Sequence, residues 1–309
     1  MLQSRLFALA DHGVDRVNVT AGFSLIFVYM IFPLQALLTN LPQISLARTS
    51  ARRINGLADE MDFEYTESAS SVPAQHGLLF EHTLTLESLT FSHVQTGTNA
   101  ALSVGPLDMT FRRGELTFLV GGNGSGKTTI AKLISGLYAP DAGQILVDGR
   151  PVRETGRAAY RENFSAVFSD YHLFESLLQI NGPEYDARAN ALLGNLGLLH
   201  KVNVRGGSFS TIALSQGERK RLAMVVALLE DRPAYIFDEW AADQDPSFKG
   251  VFYREILPDL RDRGKLVIVI SHDDRYFDAA DQIVWIENGR VDRYRINEPE
   301  NSRLAVTTD

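Results

Sequence analysis

The run Gly121, Gly122, Asn123, Gly124, Ser125, Gly126, Lys127, Thr128 and Thr129 is the stretch of this sequence best suited to chemistry. It fits G-x-x-x-x-G-K-[ST] and stands between an apolar, β-branched segment, ELTFLV, and a helical pattern, KTTIAKLISG. Glycines let the backbone wrap closely, so that successive N–H groups point inward and the following helix offers its positive end to the same anion. The expected ligand is the phosphate chain of ATP, with Lys127 on the β and γ phosphates and the Thr128 hydroxyl on Mg²⁺. Gly121, Asn123, Gly124, Ser125, Gly126, Lys127, Thr128 and Thr129 are accordingly candidate nucleotide-binding residues. A second apolar run, Ala234 to Phe237, ends in Asp238 and Glu239. At the end of a buried strand beside the cradle, Asp238 is expected to hold Mg²⁺ directly or through water, and Glu239 to orient and deprotonate the attacking water. Taken singly, the first run could be a Gly-rich turn and the second a solvated strand end; their co-occurrence favours a site.

Groups so far apart in sequence need strands that end together. Alternating or apolar runs at HTLTLESLTF, ELTFLV, QILV, AYIF and KLVIVI, with helical stretches between them, predict an α/β fold. Its sheet is expected to be largely parallel, with ligands at the carboxyl edge. The chain of 309 residues can bury a proper core and suits one large domain with an appendage. With 45% hydrophobic and 22% charged residues the composition is globular, which excludes a disordered or mostly transmembrane chain. A net charge of -8 is a poor field for a polyanionic duplex, so no nucleic-acid partner is expected. The absence of cysteine excludes disulfides, thiolate metal sites and cysteine nucleophiles.

The appendage is apolar. No Asp, Glu, Lys, Arg or His occurs from Val17 to Ala47, and the stretch Val19 to Leu38 is long enough to cross a bilayer. Asp11 and Asp15 precede it and no A-x-A motif follows closely, which argues against a secretory signal. Arg48, Arg52 and Arg53 follow it, so the positive-inside bias puts everything after residue 48 in the cytoplasm. The expected organisation is a transmembrane helix with its cytoplasmic extension over residues 1–62, a polar linker over 63–77, a nucleotide-binding domain over 78–300 and a tail over 301–309.

Further pieces narrow the reading to a family. Leu214 to Glu218 form LSQGE, which resembles the signature motif of ABC ATPases, usually LSGGQ, and precedes the Asp238 strand. By itself LSQGE is an ordinary helix start with a capping serine. AADQDP resembles the family's D-loop, with Asp245 at its aspartate, and ISHDD places His272 as the switch histidine. The resemblance implies that Ser215, Gly217 and Asp245 face a nucleotide held by a second copy or a paired half-transporter. It implies that His272 contacts the γ-phosphate and the attacking water, making Glu239, His272 and Lys127 the catalytic set. Two positions depart from the family pattern. Ser169 stands in FSAVFSDYHLF where a Gln usually bridges Mg²⁺, with Asp170 next to it, and His93 stands where an aromatic usually stacks on adenine. Thr128, Asp238 and Ser169 are thus the expected metal-site residues.

VFSDYHLF, LSQGERKRLA and FDEWAADQDP look like the bacterial ABC exporters of cyclic peptides and siderophores, of the pyoverdine and syringomycin type. The resemblance implies an ATPase coupled to efflux of such a compound, placed at the bacterial inner membrane with its ATPase domain in the cytoplasm. In that group six membrane helices precede the ATPase; only one candidate span precedes this one, so the chain is expected to be a C-terminal portion with the rest of the transmembrane domain elsewhere. The alternatives are an ABC ATPase that transports nothing and a fragment unable to transport.

Overall fold

The computed structural model describes residues 25, 27–36, 39, 48–52, 79–94, 101–177 and 182–297, apart from the side chains of 93, 94, 101 and 102. The chain divides into two compact units, Met1–Ser70 and Ser71–Asp309. In the first, residues 27–36 are helical, and Phe27, Tyr29 and Phe32 are exposed. Among the described residues no helix is long and apolar enough to cross a membrane. Of the stretch expected to span the bilayer, Val19 to Leu38, residues 19–24, 26, 37 and 38 lie outside the described residues, as do the linker and the tail.

In the second unit, strands β1 (Thr83–Val94) and β2 (Ala101–Arg112) are followed by β3 (Leu116–Val120), helix α1 (Lys127–Ile134), β4 (Ala142–Val147), β5 (Arg150–Pro151) and β6 (Phe164–Val167). Helix α2 (Pro183–Asn195), the short strands β7 (Val204–Arg205) and β8 (Ser208–Phe209), helix α3 (Gln216–Glu230) and β9 (Ala234–Asp238) come next. Helix α4 (Pro246–Val251) runs through a π-helical turn, Phe252–Ile256, into α5 (Leu257–Asp262). Strands β10 (Leu266–Ile270), β11 (Gln282–Glu287) and β12 (Arg290–Ile296) complete it.

The central sheet has the order β12-β11-β3-β10-β9-β6. It is parallel except for the β11–β12 hairpin. LTFLV, AYIFD and LVIVI form its middle, apolar nearly throughout because a parallel strand is covered on both faces. The two-residue period of a strand divides their side chains between two cores. Phe118, Tyr235, Phe237, Val267 and Val269 face one core, packed with α3, α4 and α5. Leu119, Ala234, Ile236, Ile268 and Ile270 face the other, packed with α1. That second core is closed by an antiparallel sheet of order β2-β1-β4-β5, which the alternating pattern of HTLTLESLTF foreshadows as a strand but not as a separate sheet. Nearly complete burial of each large apolar side chain contributes about 1.5–3 kcal/mol.

An aromatic stack supports the turn after β9. Trp240 lies 4.5 Å from Phe252 between ring centroids, and Phe252 meets Phe237 edge-on at 5.5 Å and Tyr253 at 4.9 Å. All four rings are almost fully buried. Replacing Phe252 with Ala leaves a cavity directly beneath this turn, and we expect a loss of about 3–5 kcal/mol in equilibrium denaturant unfolding.

Candidate functional site

The site follows from register. Leu119 on β3 pairs with Ile270 on β10, which pairs with Asp238 on β9, whose neighbour Phe237 pairs with Val167 on β6. Four strands therefore end at one edge, and the residues just beyond them meet there. They are the glycine-rich loop after β3, Ser169 after β6, Glu239 after β9 and His272 after β10. This is the carboxyl edge of a parallel sheet, where such folds bind ligands.

The glycine-rich loop leads into α1, whose cap, Gly126, has φ of 98° and offers no side-chain hydrogen bond. The first turn of α1 contains no acidic residue, so its N–H groups are left to an external anion. Gly121 has no alternative at its position, because a Cβ there would lie 2.1 Å from the Ile286 carbonyl oxygen. Nothing lies within 4 Å of where a Cβ of Gly122 or Gly124 would stand, so the loop is open on that side, as a phosphate cradle requires. Behind the loop, Gly289 N–H donates to the Ser125 carbonyl at 2.9 Å and Gly105 N–H to the Gly289 carbonyl at 2.7 Å. The β11–β12 turn thus ties the loop to the antiparallel sheet.

Lys127 folds back into its own loop, donating to the carbonyls of Gly121 and Gly122 at 2.9 and 2.8 Å. Burial holds its ammonium below the usual lysine range, against the upward pull of Glu239 and Asp238. Asp238 is buried, and its Oδ2 accepts from Thr128 Oγ1 at 2.9 Å and Ser169 Oγ at 3.4 Å. Its Oδ1 is buried without a partner. Burial, aided by the Glu239 charge, pushes this carboxyl above the usual range, while the Thr128 hydroxyl opposes the rise. One unpaired carboxylate oxygen beside two hydroxyls fits a hard divalent cation with oxygen ligands. The residues expected to hold Mg²⁺, Thr128, Asp238 and Ser169, are thus together; a lone carboxylate leaves room for phosphate and water ligands. Asp170 instead pairs with Lys132 at 3.2 Å.

Glu239 has φ 48° and ψ 32°, a left-handed backbone that turns the chain sharply off the end of β9. Its N–H continues the ladder to the Ile270 carbonyl at 3.1 Å, and its Oε1 lies 3.0 Å from His272 Nε2. Both side chains line a cleft of about 310 Å³ with Ser271, Asp273 and Lys249.

Ser215 and Gly217 are built differently. Ser215 caps α3 in a capping box with Glu218, whose carboxylate accepts both the Ser215 N–H and hydroxyl. Hydrogen bonding from Lys201 and Ser215 draws that carboxyl down to about 2. Among the described residues no hydrogen bond joins Ser215 or Gly217 to the glycine-rich loop. Gly217 is joined instead to the segment 243–245. A Cβ on Gly217 would lie 2.9 Å from the Asp243 carbonyl oxygen, and Gln244 Nε2 donates to the Gly217 carbonyl at 3.0 Å. Asp245 caps α4 through Phe248 N–H and pairs with Arg221 at 2.8 Å. His93 pairs with Leu102 through its backbone, and its side chain lies outside the described residues. Sequence reasoning misses Lys220, which lies in the cluster under Glu239. A lysine in an amphipathic helix reads as a solvent-facing charge.

A family model described as ABC transporter matches residues 104–242. The ATP-binding protein SyrD of Pseudomonas syringae pv. syringae is 40% identical over 294 residues, 93% of this chain and 52% of that protein. A bacterial Atm1-family ABC exporter with ATP bound superposes with a TM-score of 0.61 at 20% identity, over 79% of this chain and 45% of the other. The dimeric bacterial ABC transporter cassette MJ0796 gives 0.60 at 19% identity, over 70% of this chain and 99% of the other. The chain spans about half the length of the curated relatives it matches. The phosphate cradle, the Asp238–Glu239 pair at the sheet edge and the fold therefore have one description: the chain carries an ATPase domain of the ABC transporter type.

Proposed function

We propose that this chain is the ATP-hydrolysing part of an ABC exporter. The observation that carries the proposal is the meeting of Lys127, Asp238, Glu239 and His272 at one sheet edge, with an unpartnered carboxylate oxygen on Asp238. Gly121, Asn123, Gly124, Ser125, Gly126, Thr128 and Thr129 cradle the phosphates. Lys127, already held among loop carbonyls, exchanges those contacts for phosphate oxygens without leaving the cradle. Thr128, Asp238 and Ser169 hold Mg²⁺, which supplies charge neutralisation to the transferring phosphoryl group. Glu239 takes the proton of the attacking water, and His272 fixes the orientation of its carboxylate.

Ser215 and Gly217 act in trans in this reading. The tie of Gly217 to segment 243–245, and the absence among the described residues of a hydrogen bond from either residue to the cradle of its own chain, suit a pocket completed by a second copy, and a likeness to a cassette that is itself dimeric supports it. Two ATPs then join the ATPase domains, and hydrolysis separates them. The apolar segment of residues 17–47 supplies part of a transmembrane domain in the bacterial inner membrane, with the ATPase in the cytoplasm. The exported compound in this reading is a cyclic peptide or siderophore, supported by the similarity to SyrD. ATP-driven uptake of such compounds into inverted vesicles, with the complete transporter, tests the transport half of the reading; ATP hydrolysis without uptake would reject it.

Three outcomes test the chemistry. Glu239→Gln is expected to keep ATP, accumulate a closed dimer in size-exclusion chromatography and lose turnover by on the order of 100-fold or more; hydrolysis at the unaltered rate would remove Glu239 from its role. Lys127→Ala is expected to lose nucleotide affinity in a fluorescent-nucleotide titration. Asp238→Asn addresses the buried carboxylate. Because folding raises this carboxyl's pKa, its charge opposes folding once it ionises. The nucleotide-free variant should therefore melt higher than the parent near neutral pH, the difference shrinking as pH falls toward the ordinary aspartate value of 3.8. Melting curves across that range check the sign.

A further inference from the structure

Glu239 sits in a left-handed conformation that costs a non-glycine residue about 1–3 kcal/mol and persists only where its surroundings enforce it. Its amide is held by the Ile270 carbonyl. Its carbonyl oxygen accepts from Ala242 N–H at 3.2 Å and from the ammonium of Lys220 at 3.0 Å. Lys220 belongs to the second turn of α3 and is only 4% exposed. A buried ammonium needs partners. Its Nζ also pairs with Asp243 Oδ2 at 2.6 Å, while its own backbone carbonyl accepts from Trp240 Nε1 at 2.8 Å. The residue after Glu239 is therefore clamped to the backbone of Lys220 and Glu239 itself to its side chain. Asp243 is held a second time from the same helix, by Gln216 Nε2 at 3.1 Å.

We propose that Lys220 is a positioning residue for catalysis: its ammonium holds the Glu239 carbonyl, fixes the left-handed turn and so aims the Glu239 carboxylate at the attacking water. The helix that starts with Ser215 thereby carries both the group offered to the partner's nucleotide and the support of the base acting on its own. Movement of α3 on closure of the dimer reaches the Glu239 carbonyl directly through the Lys220 side chain. Ordinary ion pairing would not require this arrangement. Asp243 is more than a third exposed and could be neutralised from solvent, whereas the Glu239 carbonyl takes the ammonium from inside.

The inference rests on Glu239 being the general base, and the test separates the two. In ATPase kinetics of the 309-residue chain, Lys220→Met is expected to lower kcat by about 10- to 100-fold, as for other small displacements of a reacting group. KM and fluorescent-nucleotide affinity should stay within about twofold, since the cradle is untouched. Asp243→Asn removes the ion pair but leaves the bond to Glu239, and is expected to keep most of the turnover. The double variant Lys220→Met/Asp243→Asn should remain as slow as Lys220→Met. Unaltered kcat in Lys220→Met, equal losses of affinity and turnover, or rescue by Asp243→Asn would each overturn the proposal in favour of a plain structural pair. Should Lys220→Met not fold, Lys220→Gln, which keeps a donor but shortens its reach, is read by the same criteria. Glu239→Gln run in parallel isolates the premise: if it hydrolyses ATP normally the general-base reading falls, and if it is inactive while Lys220→Met is not, only the role of Lys220 falls.

Discussion

The structure depends on the parallel ladder that sets β3, β10, β9 and β6 side by side with their carboxyl ends level. Each strand supplies at most one or two reactive groups, and none of those groups has a local reason to meet the others. A displacement of one residue anywhere in the ladder would exchange the two cores, putting Phe237 where Ile236 belongs and turning Asp238 away from Thr128. The apolar side chains that fix the register are therefore as necessary to the site as the polar ones that form it. Burial of Phe118, Phe237, Val267 and Val269 on one face and Leu119, Ile236, Ile268 and Ile270 on the other gives the ladder little freedom to slip.

At this edge the protein keeps charge in places where folding alone would not choose it. Asp238 is buried with one oxygen unpartnered, and Lys127 is buried among carbonyls with its ammonium destabilised. Glu239 holds a backbone geometry that few residues adopt. The first two conflicts are of the kind a ligand would relieve: a cation for the carboxylate and anionic oxygens for the ammonium. Unfavourable local energies of this kind cluster at functional sites, and at Glu239 the aromatic stack of Trp240, Phe252 and Phe237 supports the strained turn from beneath.

Much of this was legible from the residues. The glycine-rich loop and Asp238–Glu239 stand out because binding phosphate and a hard cation admits few residue types, whereas LSQGE and His272 are singled out by their resemblance to the ABC ATPase motifs. The apolar runs of β3, β9 and β10 were equally plain, because strands covered on both faces have no polar alternation to hide them. The antiparallel sheet was less so, since β1 alternates like any half-covered strand and nothing local shows that it pairs with β4 rather than joining the central sheet. Lys220 was invisible for a similar reason: its burial depends on where the turn after β9 comes to rest, and no pattern within α3 encodes that. Ser169 stands where the family usually has a Gln, and its hydroxyl reaches the Asp238 carboxylate at the long limit of a hydrogen bond.

The hydrogen bonds from Gly105 to Gly289 and from Gly289 to Ser125 form a column of main-chain contacts that runs from the outer sheet, through the β11–β12 hairpin, to the floor of the phosphate cradle. Main chain cannot yield by changing rotamer, so this column transmits displacement with little loss. In a saturation library of this protein, intolerant positions should consequently trace a line across the domain instead of a shell around the ligand. Glycines remote from any reacting atom would score as though they touched it, and ranking variants by distance from the cradle would misplace them.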